Sequence, residues 1–278
     1  MRILIFILFP LFSYSQLSIG ILESSRIDAD AQAFITAAAI TNATQISAIN
    51  NFVKGLKADG LWTKMKAIYP FVGGTASTHK FNLKDPRNVD AAFRLVFVGG
   101  WTHSSTGALP NGTTGYAETY LRPSTTLTLN NSHLSYYSRS NVAGNTGCAI
   151  GSYNTSFTSA NQIFIRFTDN NFYTVIDNSA FITYSNTNTT GYYVTSRTAS
   201  NLIKTFKNNS LMGSNTASTI ILNNATIFIG ARNDAGTPIL YDNKECAFAS
   251  IGDGLTDTEA ANLYTRVQTY QTALGRQL

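Results

Sequence analysis

Between residues 192 and 251 the chain repeats one local pattern. A short run of β-branched and aromatic residues is followed by a cluster of Asn, Ser, Thr or Gly. The runs are Tyr192-Tyr193-Val194-Thr195-Ser196-Arg197, Leu202-Ile203-Lys204-Thr205-Phe206, Leu211-Met212, Ile220-Ile221-Leu222, Thr226-Ile227-Phe228-Ile229-Gly230 and Cys246-Ala247-Phe248-Ala249-Ser250-Ile251. Such side chains fit a pleated, half-buried surface, and turn residues between them join antiparallel strands. The corner Lys207-Asn208-Asn209-Ser210 predicts a two-residue hairpin, because Asn tolerates positive φ. Tyr192 and Tyr193 alternate across a strand, so one of them is expected to be buried.

The same pattern runs upstream through Lys66-Ala67-Ile68-Tyr69, Phe93-Arg94-Leu95-Val96-Phe97-Val98, Thr126-Leu127-Thr128-Leu129, Leu134-Ser135-Tyr136-Tyr137, Ile163-Phe164-Ile165-Arg166-Phe167 and Phe172-Tyr173-Thr174-Val175-Ile176. Strands at this spacing, with no helices between them, indicate a sandwich or barrel. No exact repeat of fixed period is visible, which argues against a propeller or solenoid. Residues 101–119 read as a long polar loop containing Gly107, Pro110, Gly112 and Gly115.

Helical periodicity is confined to the two ends. Asp28 is placed to cap a first helix reaching Ile40, and Thr41-Asn42-Ala43-Thr44 breaks it. A second helix carries Ile46, Ile49, Phe52, Val53 and Leu56 on one stripe and ends at Asp59-Gly60. One apolar stripe needs a partner, so this pair is expected to dock on the β-structure. At the other end, Thr256-Asp257-Thr258-Glu259 is a capping box. Leu263, Val267, Tyr270 and Leu274 follow on one face, with Gly275 just past the end. The resulting division is a leader over 1–15, a helical lead-in over 16–60, and a β-sandwich with its C-terminal helix over 61–278.

A chain of 278 residues buries roughly 70–75% of its unfolded surface and needs neither metal nor disulfide to hold a core. The net charge of +5 is scattered, with no Lys/Arg run interleaved with aromatics, so nucleic-acid binding is not expected. The first fifteen residues have the form of a secretory signal: Arg2, an apolar segment from Ile3 to Phe12, then Ser13-Tyr14-Ser15 before Gln16. The alternative is a buried N-terminal strand. The apolar run is too short to span a bilayer comfortably. Cys148 and Cys246 are the only cysteines, and they either pair or sit apart as small buried hydrophobes.

Several segments are similar to a family of virion, tail or fibre proteins from phages that infect Bacteroidetes. They are His79-Lys80-Phe81-Asn82-Leu83-Lys84-Asp85-Pro86-Arg87, Gly99-Gly100-Trp101-Thr102-His103, Gly115-Tyr116-Ala117, Leu134-Ser135-Tyr136-Tyr137-Ser138-Arg139, and the C-terminal stretch from Cys246 through Gly252-Asp253-Gly254-Leu255-Thr256-Asp257 to Leu274-Gly275-Arg276. The resemblance runs from about Asp28 to the end. It implies a mainly β fold, an antiparallel jelly roll of the concanavalin A-like, laminin-G-like kind. It also implies a non-enzymatic structural or adhesion role, in a virion or outside the cell. The implied partner is a surface polysaccharide or another virion protein, with a homo-oligomer as a further possibility.

No catalytic signature stands out. A hydrolase of this fold needs paired carboxylates on one face, roughly 5–5.5 Å apart for retention. Asp242 and Glu245 are three apart, so on a strand they would point to opposite faces, whereas Asp169 and Asp177 could meet across a turn. An exported carbohydrate-active hydrolase is therefore the second reading, and a structural module without ligand the third. His79, His103 and His133 lack metal-ligand spacing. Asp169-Asn170-Asn171 has calcium-like donors but a single carboxylate, so no cofactor is expected, and calcium is the one ion whose donors the sequence offers. A saccharide site needs a flat aromatic with amides or hydroxyls beside it. Trp101, His103, Asn111 and Tyr116 supply those types and form the candidate site. The bland alternative is that Trp101 anchors its loop to the sandwich.

Overall fold

The computed structural model describes residues 26–278, apart from 144, 155, 157 and 220. The expected leader over 1–15 lies outside the described residues. In chain order come helices α1 (Ala29–Ala37) and α2 (Ala43–Ala58), then strand β1 (Met65–Tyr69) and a one-turn helix α3 (Ala76–His79). Next are β2 (Val96–Val98), β3 (Trp101–Ser104), β4 (Gly107–Pro110), β5 (Tyr116–Glu118), helix α4 (Pro123–Thr126) and β6 (Ser132–Ser138). β7 (Ile150–Tyr153), β8 (Ala160–Phe164), β9 (Asn171–Asn178), β10 (Ile182–Ser185), β11 (Gly191–Ala199), β12 (Leu202–Lys207) and β13 (Ser210–Asn215) follow. The chain closes with β14 (Phe228–Ile229), β15 (Arg232–Asp234), β16 (Thr237–Ile239), β17 (Cys246–Gly252) and helix α5 (Asp257–Ala273).

The strands form two sheets. The eight-stranded first sheet is ordered β13-β12-β11-β6-β17-β4-β3, with β1 also paired to β17. The nine-stranded second sheet is ordered β10-β9-β8-β7-β14-β5-β2, with β15 paired to β7 and β16 to β15. Among the described residues every strand pairing is antiparallel except β15 with β7. The two sheets face each other as a β-sandwich. One edge is closed by Tyr184 of β10 lying over Gly213 of β13, where a Cβ would fall 1.6 Å from the tyrosine hydroxyl.

Alternation along the strands of the first sheet separates two apolar layers. Tyr136, Tyr193, Leu134, Ala249 and Ile251 meet Ile150, Ile163, Phe172 and Ile229 of the second sheet. Tyr137, Tyr192, Val194, Phe206 and Phe248 point the other way, into a layer shared with Phe34, Phe52, Leu56, Leu263, Val267 and Tyr270 of the helices. Phe52 contacts Phe248 edge-on with ring centroids 5.5 Å apart, and Tyr270 at 5.1 Å. The helical pair thus docks on the β-structure beside α5, as its single stripe required. Tyr192 and Tyr193 are both buried, at 1% and 0% exposure, instead of one of them. The reason is that helices cover the face the sandwich leaves open. Each such ring contributes roughly 1.5–3 kcal/mol of burial.

Helix ends follow the local chemistry. Asp28 accepts from the Asp30 N–H at 3.0 Å. Thr256 and Glu259 cap each other reciprocally. Gly275 has φ 65°, its N–H reaches the Thr272 carbonyl, and the next N–H, of Arg276, reaches Gln271. That is the left-handed helix stop expected of this glycine. α1 ends at Ala37, short of Ile40, with Ala39 in the same left-handed position. Arg266 of α5 forms a two-pronged ion pair with Asp59, at 2.7 and 2.8 Å, and lies across Gly55 of α2, where any side chain would collide with it.

Several strand expectations need correction. Residues 101–119 are not a long loop but the β3–β4 hairpin followed by β5. The 93–98 run is strand only over Val96–Val98, because Phe93 adopts a left-handed φ of 58° after a short 3-10 turn. Thr126-Leu127-Thr128-Leu129 is not a strand, since Pro123 starts the one-turn α4 there. Residues 221 and 222 are outside any strand, and residue 220 is outside the described residues. Asn208 and Asn209 do form the two-residue turn, with φ 47° and 66°. Cys148 and Cys246 are free and fully buried, and burial pushes both thiols up, Cys148 to about 12. Among the described residues no helix is long and apolar enough to cross a membrane.

Candidate functional site

On β8 and β9, Ile163 and Phe172 point into the sandwich. Their neighbours Phe164 and Tyr173 therefore face the outer side of the second sheet. There they join Phe167, Phe181, Arg232 and Leu240 around a cup of about 300 Å³. The four rings form a closed circuit. Phe164 meets Phe167 at 5.9 Å and 83°, and Phe167 meets Tyr173 at 5.7 Å and 73°. Tyr173 meets Phe181 at 5.8 Å and 89°, and Phe181 meets Phe164 at 6.3 Å and 60°. Edge-to-face contact suits the charge distribution of the rings. Phe181, on the β9–β10 connection, is 43% exposed and forms the lip.

Polar groups flank the rings. The Tyr173 hydroxyl donates to the Asp169 carboxylate, which also accepts from the Asn171 N–H at 3.0 Å and the Asn171 amide at 2.9 Å. The tyrosine hydrogen bond is the main cause holding that carboxyl below its ordinary range. Arg232, from β15, lies over the Tyr153 ring at 5.0 Å and pairs with Asp234 at 3.2 Å. Its Nε is buried without a hydrogen-bond partner among the described residues.

The sequence-derived candidates lie elsewhere, at the opposite edge of the sandwich. The Trp101 indole N–H reaches the carbonyls of Val98 and Tyr116, both at 3.2 Å. Its ring packs edge-on against Phe97 at 5.2 Å, and a Cβ on Gly230 would approach it to 3.0 Å. His103 stacks beside it at 6.1 Å and meets Phe97 at 4.5 Å. Trp101 and His103 thus join β3 to β2 across the sheet edge. Asn111 organises its own turn, accepting from the N–H groups of Thr113, Thr114 and Gly115. Tyr116 stacks on Phe228 at 4.6 Å. The structure brings Trp101, His103 and the Tyr116 backbone together, while the Tyr116 ring faces Phe228.

The three histidines are structural in their contacts. Gly74 N–H donates to Nε2 of His79 at 3.1 Å, so the proton sits on Nδ1, which donates to Nδ1 of His103 at 3.0 Å. His133 donates from Nδ1 to the Asp253 carbonyl at 2.6 Å, and its Nε2 faces the Ser250 hydroxyl at 3.0 Å. Burial, first of all, lowers His79 to about 3 and His133 to about 4. Both sit below the unfolded value of about 6.5, so they favour the fold above that pH and lose this as pH falls from about 6.5 to about 4 for His133 and to about 3 for His79. Each histidine subtracts up to ~1.4 kcal/mol per pH unit there. Thermal melting at pH 7 and pH 5 should show a lower Tm at pH 5. An unchanged Tm refutes the assignment.

The four carboxylates weighed for catalysis, Asp242, Glu245, Asp169 and Asp177, do not converge. Asp242 is fully buried and pairs with Lys244 at 2.8 Å. Glu245 accepts from Thr106 at 2.5 Å and lies 3.4 Å from Arg139. Asp177 is buried, accepts from Ser132 at 2.7 Å and Asn161 at 2.8 Å, and is raised by that burial. Asp169 lies beyond the opposite end of β9, roughly 20 Å of strand away, so the two do not meet across a turn. Among the described residues no group of three or more His, Cys, Asp or Glu side chains is placed to hold a metal ion.

The cup was missed because its parts come from four separate segments. Its trace in the sequence is the density of aromatics at Phe164, Phe167, Phe172, Tyr173, Phe181 and Tyr184 around one polar turn. Alternation identifies which of them face outward, but nothing local brings Arg232 or Leu240 to them.

No family model matches the sequence, and no curated protein matches it. Among solved structures, the chain is similar to botulinum neurotoxin type C, in a structure concerning the dependence of its cell entry on two ganglioside molecules, with TM-score 0.56 and 12% identity over 76% of this chain and 53% of that one. HCR/D-Sa-GBL1/C gives TM-score 0.52 and 12% identity over 74% of this chain and 53% of that one. Domain 4 of AbnA, an extracellular arabinanase from Geobacillus stearothermophilus, solved with arabinotriose, gives TM-score 0.44 and 12% identity over 72% and 98%. This chain spans about half the length of the first two. What it shares with them is the mainly β architecture of two antiparallel sheets packed as a sandwich.

Proposed function

We propose that this protein is a non-enzymatic saccharide-binding module, and that the aromatic cup on the second sheet is its site. The observation that carries the reading is the cup itself: apolar rings for the C–H surface of a sugar, with Arg232 among the residues of its wall. Saccharide sites combine these two chemistries. The Trp101 edge is the less favoured surface, because its indole N–H is already used within the fold and its ring is packed against Phe97, His103 and Gly230. The similar neurotoxin is a protein whose cell entry depends on gangliosides, which is in keeping with glycan contact. The resemblance to phage virion and tail proteins gives such a module a place. It would be a particle-borne or exported adhesion or structural part that touches a surface polysaccharide or a neighbouring coat protein.

Hydrolysis is disfavoured in this reading because Asp242, Glu245, Asp169 and Asp177 are each engaged by neighbours and scattered. Phe181→Ala tests the site, since that ring is exposed and its loss spares the core. On a glycan array the variant should retain a native circular dichroism spectrum and bind about tenfold more weakly, as expected for one lost aromatic contact. Unchanged binding places the site elsewhere. Release of reducing ends from any bound glycan makes the protein a hydrolase and ends this reading.

A further inference from the structure

Where the β6–β7 connection meets the segment leading into β17, the chain buries a lysine between an amide and a carboxyl group. Lys244 Nζ donates to Oδ1 of Asn145 at 2.9 Å and to Oδ1 of Asp242 at 2.8 Å. Lys244 and Asp242 are fully buried, and Asn145 is half-buried. The backbones are pressed together here. A Cβ on Gly147 would fall 2.5 Å from the Asp242 Cα, so glycine lets this turn lie on the acid. Oδ2 of Asp242 is buried with no hydrogen-bond partner among the described residues.

A carboxylate buried with one oxygen unpaired is unfavourable. Passing one Lys244 proton to Asp242 leaves an amine and a carboxylic acid, both neutral, and burial lowers the cost of that transfer relative to water. The amine is then a nucleophile, and the group it already touches is an amide carbonyl. A C=O bond of about 1.23 Å puts the Asn145 carbonyl carbon no more than about 4 Å from Nζ. Attack begins from roughly 3–3.5 Å. The Gly147 N–H donates to the same Oδ1 at 3.1 Å, where negative charge develops as the carbon is attacked. Nδ2 of Asn145 donates to Asn243 at 2.7 Å, which holds the amide with its oxygen toward Lys244.

We infer that Lys244 and Asn145 join in an intramolecular amide bond, with Asp242 as the proton carrier. The Nζ–Cγ bond forms and the Cγ–Nδ2 bond breaks. Asp242 takes a proton from the ammonium, gives it to the departing Nδ2, and takes one in exchange from the new amide nitrogen. Nδ2 leaves as ammonia, which picks up that last proton in water. Nothing is oxidised or reduced, and the ion pair is the state before the reaction. The bond ties together positions 99 apart in sequence and clasps the β6–β7 connection to the start of β17. It is independent of what the aromatic cup binds.

The test is tryptic peptide mapping of the folded full chain by mass spectrometry. Trypsin does not cut after an acylated lysine. Residues 233–266 should therefore appear joined to residues 140–166, lighter than the two together by one ammonia. Lys244→Met and Asn145→Ala should each abolish the branched peptide, and Asn145→Ala, in a half-buried turn, serves if Lys244→Met unfolds. Asp242→Asn keeps the side-chain volume without the proton carrier, and the branched peptide should form about a hundredfold more slowly. Recovery of residues 140–166 and 233–244 as separate peptides from folded wild type overturns the inference. Loss of ammonia from residues 140–166 alone also overturns it, because Asn145 has then closed on its own backbone. A branched peptide that forms equally fast in Asp242→Asn overturns the part given to Asp242.

Discussion

Asp242→Ala lowers stability by about 3–5 kcal/mol, because it strands a charge in the interior. Lys244 and Asp242 are both fully buried, and the ammonium has two acceptors, Asp242 Oδ1 at 2.8 Å and Asn145 Oδ1 at 2.9 Å. Removing the carboxylate leaves the ammonium with a single neutral acceptor in a low-dielectric setting. The Lys244 carbonyl also receives the Tyr136 hydroxyl at 2.8 Å, so disorder here spreads into the inter-sheet layer. The double variant Asp242→Leu with Lys244→Met should be much more stable than Asp242→Ala alone, since apolar replacement of a buried pair is often neutral or better. Urea unfolding of the single and double variants checks this. If the double variant is as unstable as the sum of the single ones, the two residues do not act as a pair.

The second large effect is expected at the last ordered turn. Arg276 is 1% exposed, and its guanidinium donates to the carbonyls of Phe71 at 2.6 Å, Pro70 at 2.7 Å and Ala247 at 3.0 Å, and to the Gln271 side chain at 2.6 Å. It therefore ties the end of α5 to the segment after β1 and to β17. Arg276→Met leaves those buried carbonyls without their donor, at a cost on the order of 4 kcal/mol and a Tm decrease of about 10 °C. Arg276→Lys recovers only part of this, because a single ammonium cannot serve a planar fork of acceptors. A Tm for Arg276→Met within about 2 °C of wild type would show that the contacts contribute little. The Leu274-Gly275-Arg276 ending thus has a physical sense: the glycine turns the chain, and the arginine fastens it.

Much of the architecture was readable because it depends on neighbours in sequence. Alternating β-branched and aromatic runs specified β6, β9, β11, β12 and β17, the Asn208-Asn209 pair specified a hairpin, and Thr256 with Glu259 specified the start of α5. Strand length was less readable. Phe93 adopts positive φ and Pro123 starts a helical turn, so two apolar runs that look extended are largely not. Tyr192 and Tyr193 mark the limit of alternation: it separates two faces but does not say what covers each. A helical layer on the far side of the first sheet buries both.

The candidate site divides the same way. Trp101, His103, Asn111 and Tyr116 have the side-chain types of a saccharide site, but type alone does not reveal that the Trp101 N–H is already spent on two backbone carbonyls. The cup on the second sheet draws on β8, β9, the β9–β10 connection and the region from β15 to just past β16. By itself the sequence determined the β-sandwich, its turns and its helix caps, because hydrophobic period and backbone preference act within a few residues. Only the tertiary structure decided which aromatics are core and which line a cup, and which charges are buried in pairs. Those outcomes depend on packing between segments that are distant in sequence, which no local preference encodes.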